Sequence, residues 1–133
     1  MPFDAPYQTP FGDIELLIDA RSRISNRGSW VQNSFRDGDR HCLIAALSLA
    51  CGSRSFQMPN RTEKRLARLI AKQIPPDAPF MTRCGLIPAR QRLISLNDAP
   101  RTTHEDVMVL FDRTISQLAN TAPISVPPPE SDG

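Results

Sequence analysis

Residues 39–52, DRHCLIAALSLACG, decide how this chain folds, because Cys42, Leu43, Ala46, Leu47, Leu49 and Ala50 leave almost no polar face between Asp39 and Cys51. A helix that is apolar all round has to be buried. The stretch is therefore expected to be a central helix, with Asp39 as its N-cap. Gly52, which tolerates the left-handed conformation, is its stop. A fully buried helix needs others around it, and the flanking sequence supplies them. Ile14, Leu17, Ile18 and Ile24 recur at helical spacing and predict a helix from about Asp13 to Asn26, with Asp13 as cap and Gly28 near its end. Asn60 and Glu63 have capping-box spacing, and Leu66, Leu69, Ile70 and Ile74 mark the apolar stripe of a further helix that Pro75-Pro76 must end. Leu93, Ile94 and Leu96 suggest a short helix before Asn97-Asp98. Thr102 and Glu105 form a second capping box ahead of Val107, Met108, Leu110, Phe111, Ile115 and Leu118, which predicts a last helix from about Thr103 to Asn120. Trp30-Val31-Gln32 reads as a short extended piece with no second strand of comparable strength to pair with.

The expected fold is mainly α: a small single-domain helical bundle of about four to five helices with extended Pro-rich termini. Residues 1–12 carry three Pro-aromatic pairs, Pro2-Phe3, Pro6-Tyr7 and Pro10-Phe11, and read as an arm outside the helical domain of residues 13–120. Residues 121–133 contain Pro123 and the Pro127-Pro128-Pro129 run and read as a disordered tail.

With 133 residues the chain is one domain's worth of polymer. Its 40% hydrophobic and 23% charged residues are ordinary globular usage. Sixteen basic against fourteen acidic residues give a net charge of +2, too small to announce a nucleic-acid or membrane surface by its field alone. Fourteen of the basic residues are Arg and two are Lys, Lys64 and Lys72. The one concentrated basic face lies on the helix after Asn60 and carries Arg61, Lys64, Arg65, Arg68 and Lys72. No signal segment and no apolar run of about 18 residues is present, so no membrane association is expected. The three cysteines, Cys42, Cys51 and Cys84, form an odd set without a C-x-x-C pair. That pattern suits neither a disulfide framework nor a zinc site, and it fits a reducing cytoplasm. No metal is expected, and with neither G-x-G-x-x-G nor a P-loop in the chain no cofactor is expected either.

One constellation could carry chemistry. Cys42 opens the buried helix, where the macrodipole favours a thiolate. Gln32 upstream and His104 downstream follow the order in which papain-like enzymes place an oxyanion donor, a nucleophile and a base, with His41 as a second candidate base.

Taken in order, Trp30, Gln32, Asp37, Asp39, Cys42, Ala46-Leu47, Asn97-Asp98, Thr102 and Asp106-Val107 resemble the pattern of a family of small bacterial and phage proteins classed as a domain of unknown function. Its members read approximately W-x-Q-G, an acidic stretch, C-x-x-G-A-L, then W-N-D and T-x-x-x-V. The chain departs from this at Asn33, Ala45 and Leu96. The resemblance runs from about Ile14 to Ala119. It implies a compact helical fold with no established activity. If the matching residues meet, then Trp30, Gln32, Asp39, Cys42, Asn97 and Asp98 surround the start of the buried helix as a polar-rimmed binding pocket.

The sequence thus favours a non-enzymatic protein-binding or regulatory module whose partner is another protein. A hydrolase or transferase using Cys42 is the first alternative. Nucleic-acid binding through the Arg61–Lys72 face is the second. Oligomeric state has no signature in the sequence.

Overall fold

The apolar stretch lies at the centre of the molecule. In the computed structural model, which describes residues 10–75 and 87–121, it forms helix α2 (Leu43–Cys51), and every side chain from Leu43 to Ser48 is buried. Around it stand α1 (Pro10–Arg23), α3 (Arg61–Ala71), α4 (Ala89–Asp98) and α5 (His104–Thr121). Helix α2 packs on α1, α3 and α4, while α5 closes the bundle against α1 and α3. Leu17, Leu43, Ile44, Leu47, Leu66, Ile70, Leu93, Val107 and Phe111 are fully buried in one cluster. Burying each such side chain contributes about 1.5–3 kcal/mol relative to exposure. The domain is mainly α, as the periodicity predicts.

The start of α2 differs from expectation. Asp39 does not cap it, because the chain before the helix pairs with itself: β1 (Arg36–Asp37) and β2 (Arg40–His41) form an antiparallel hairpin with Arg36 opposite His41 and Asp37 opposite Arg40. Gly38 makes the turn at φ 63°, a conformation that costs a residue without a Cβ little. An Arg40–Asp37 ion pair closes it. The cap is Cys42 itself, whose Sγ accepts the N–H of Ala45 at 3.4 Å. The piece at Trp30 also finds a neighbour, since Trp30 forms a parallel bridge with His41. At the other end Gly52 stops the helix at φ 72°, as its position predicts.

Other boundaries move by a few residues. Helix α1 begins at Pro10, whose missing N–H is harmless in a first turn, and not at Asp13. The residues from Pro10 to Gly12 therefore belong to a helix and not to an arm. Asp13 lies in the first turn and pairs with Arg65 at 2.6 Å. Asn26 caps a separate 3-10 turn, Arg27–Ser29. Helix α3 starts with Asn60 accepting from the N–H of Glu63 at 2.8 Å. It ends at Ala71 and reaches Ile74 by single turns, before Pro75. Before α5 the capping box is Thr103 and Asp106, one residue later than predicted, with Thr103 N–H donating to Asp106 Oδ2 and Asp106 N–H to Thr103 Oγ1. Most of the arm, at residues 1–9, the tail at 122–133 and Cys84 lie outside the described residues. Among the described residues no helix is long and apolar enough to cross a membrane.

Candidate functional site

The fold gathers most of the expected site residues at the junction of α4 and α5. Asn97, in the last turn of α4, is fully buried. Its Oδ1 accepts from Trp30 Nε1 at 2.7 Å and from the N–H of Leu43, the first residue of α2, at 3.1 Å. Its Nδ2 donates to the Val31 carbonyl and to Asp98 Oδ1, both at 3.0 Å. The amide has two acceptor sites and two donors, and all four are used. Asp98 Oδ1 also accepts the N–H of Asn33 at 2.7 Å, holding that residue in the left-handed region at φ 65°.

Gln32 stands beside this knot and shapes the next turn. Its Nε2 donates to the carbonyls of Asn97 and Ala99 at 2.9 Å and to that of Thr102 at 3.3 Å. Carbonyls at the end of a helix lack intrahelical partners, so one side chain both closes α4 and fixes the bend into α5. His104, in the first turn of α5, donates from Nε2 to the Ile24 carbonyl at 2.7 Å, and its ring lies 5.9 Å from that of Trp30. Trp30, Gln32, Asn97 and Asp98 therefore meet, and Cys42 adjoins them through Leu43. Asp39 stays out in the hairpin turn, exposed.

As a nucleophilic site this arrangement is incomplete. Burial pushes the Cys42 thiol above its ordinary pKa and outweighs the N–H groups at the start of α2 that favour the thiolate. Neither His104 nor His41 is hydrogen-bonded to Cys42 among the described residues. The amide donors of Gln32 are spent on carbonyls. His41 is held below its usual pKa by burial and by Arg36 and Arg23. Among the described residues no three His, Cys, Asp or Glu side chains converge as metal ligands would.

A second buried polar cluster was not legible in the sequence as such. Glu63 is fully buried, and its Oε1 accepts from Ser48 Oγ at 2.7 Å and Ser53 Oγ at 2.6 Å. Its Oε2 accepts from Arg90 Nε at 2.8 Å. Arg90 also donates to the Phe56 carbonyl and lies over the Phe35 ring at 5.9 Å. Glu63 fits the capping-box spacing, yet its side chain turns into the core rather than back to Asn60. The signal available was the position itself, which falls on the same helical face as Leu66 and Ile70.

A concavity borders the Ala99–Thr102 turn that Gln32 holds. It has a volume of about 980 Å³, at the upper end of the range of small-molecule pockets. Pro75, Leu96, Val109 and Leu110 line it with apolar surface, and Arg101 and Arg113 stand among its lining residues. Neither arginine has an ion-pair partner among the described residues. The one carboxylate that lines it among the described residues, Asp106, is engaged in capping α5.

The family profile described as "Family of unknown function (DUF6197)" matches residues 9–117, and the chain belongs to that family. No curated protein and no solved structure matches it.

Proposed function

We propose that this member of the DUF6197 family is a non-enzymatic, bacterial, cytoplasmic protein-binding module, and that the cleft between α4 and α5 receives an apolar segment of another protein bearing a carboxylate. The observation that carries this reading is the combination of apolar lining with two guanidinium groups, Arg101 and Arg113, that have no ion-pair partner among the described residues, beside a carboxylate, Asp106, engaged in capping α5. Apolar contact supplies most of the affinity in such a cleft, and guanidinium groups select planar, bidentate anions. Trp30, Gln32, Asn97 and Asp98 then act at one remove, because they fix the Ala99–Thr102 turn that carries Arg101. The cytoplasm is favoured by free thiols at Cys42 and Cys51. A cysteine-dependent enzyme has less support, since Cys42 is buried, burial raises its thiol above the ordinary pKa, and neither histidine is hydrogen-bonded to it among the described residues.

Selection of a random 12-residue peptide library on the folded protein tests the proposal. Enriched peptides should combine Leu, Ile, Val or Phe with Asp or Glu. They should bind the Arg101→Glu/Arg113→Glu variant at least tenfold more weakly. Peptides without acidic enrichment, or binding unaffected by that double reversal, would overturn it.

A further inference from the structure

Three cations on α3, Arg61, Lys64 and Arg68, and its C-cap Lys72 form an exposed row. At 100° per residue Arg61, Lys64, Arg68 and Lys72 fall within about 80° of arc, and the row is about 16 Å long. All four are exposed, while Glu63, Leu66, Ala67, Ile70 and Ala71 are buried on the opposite side. None of the four is ion-paired among the described residues. Two carboxylates close to the helix are engaged by cations outside this row, one of them Arg65 of α3 itself. Asp13 is taken by Arg65 at 2.6 Å and Glu63 by Arg90 at 2.8 Å inside the core. The overall charge of +2 therefore hides a local cationic track, because acidic groups such as Asp19 and Asp112 are paired on other elements, with Arg23 and Arg21.

We propose that this face of α3 docks on the phosphodiester backbone of duplex DNA, independently of the cleft. A duplex carries one negative charge per about 1.7 Å of axis, so a 16 Å row of cations meets a dense line of phosphates. No aromatic side chain stands on α3, which removes the stacking platform that single strands require. The row also lacks apolar anchors for a lipid surface, since Leu66 and Ile70 face the core and Leu69 packs against it. The major groove of B-form DNA is about 12 Å wide and admits a helix between its phosphate walls, whereas that of A-form RNA is closed to side chains. Binding through backbone contacts alone is sequence-independent, with a Kd of about 10⁻⁴ to 10⁻⁶ M at physiological salt.

The experiment is fluorescence anisotropy of a labelled 20-base-pair duplex of arbitrary sequence titrated with the full chain at 20–200 mM salt. Four phosphate contacts give a slope of about −3.6 for log K against log salt concentration. Lys64→Ala or Arg68→Ala should each flatten it by about 1. Lys64→Glu/Arg68→Glu should abolish binding, while Arg101→Glu/Arg113→Glu should leave it unchanged, which separates this surface from the cleft. These positions are exposed, and an unaltered circular dichroism melt confirms folding. Absence of binding at 20 mM salt would overturn the proposal. So would a slope insensitive to the α3 substitutions, tighter binding to the single strand or to duplex RNA, or stronger binding to phosphatidylserine vesicles.

Discussion

At the N-terminal end of α4, Arg90 reaches the fully buried carboxylate of Glu63; at the C-terminal end, Asn97, equally buried, joins three segments with a neutral amide. Both tie α4 to the central helix, one through Ser48 within α2 and the other through the first N–H of α2. Their chemistry differs in what happens when a partner is lost. A buried carboxylate without its cation keeps its full desolvation penalty, whereas an absent amide leaves behind mostly neutral groups, the Trp30 indole N–H among them. The difference teaches that the charged knot is the more brittle, and that the neutral one does more to shape the surface, because only it extends through Gln32 into the lining of the cleft.

Arg90→Met attacks the charged knot and should have the largest effect, a loss of about 3–5 kcal/mol in urea unfolding. Adding Glu63→Gln should restore part of that stability, since the uncompensated charge disappears. A double variant less stable than Arg90→Met would mean that charge is not what makes this knot brittle. Asn97→Ala leaves the Trp30 Nε1–H, the Leu43 N–H and the Val31 carbonyl without their partner and should cost about 3 kcal/mol by the same measurement. If it costs clearly more than Arg90→Met, the contrast between the knots is reversed. Gln32→Ala should cost only about 1 kcal/mol, because two of the three carbonyls it serves, those of Ala99 and Thr102, belong to half-buried residues. It should nevertheless weaken selected cleft peptides severalfold by loosening the Ala99–Thr102 turn.

The smallest effect concerns the thiols, one beside each knot. Burial first, and then the Glu63 carboxylate, push Cys51 up to about 12, whereas Cys42, beside the neutral knot, is raised chiefly by burial. A raised folded-state pKa means that the folded chain holds a proton the unfolded chain releases. The associated stability is present below about pH 9 and is lost as the pH rises toward 12. Cys51→Ala should therefore flatten the alkaline fall in stability. Site-resolved alkylation should show Glu63→Gln speeding the reaction of Cys51 and leaving that of Cys42 unchanged. Equal acceleration of both thiols would indicate general loosening instead.

Much of this architecture is legible along the chain. The apolar run from Leu43 to Ala50 places α2 in the centre, Gly52 ends it, and Asn60 caps α3. The residues of the neutral knot, Trp30, Gln32, Asn97 and Asp98, are among those singled out from the sequence as candidates for one site. Asp39 was misplaced for a local reason: periodicity does not see the hairpin, whose pairing takes the residues up to His41 out of the helix. The burial of Glu63 is not legible, because spacing tells that a residue follows an N-cap by three and not which way its carboxylate turns.

By itself the sequence determined the mainly helical class, the identity of the central helix and its stop at Gly52, since these follow from hydrophobic periodicity and from backbone preferences of single residues. Only the tertiary structure decided that Asn97 accepts from Trp30, 67 positions earlier, that Glu63 faces Arg90 in the core, and that Arg101 and Arg113 line one cleft. The physical reason is that a polar side chain's role depends on which groups lose water beside it, and those groups are brought together by packing between elements distant in sequence.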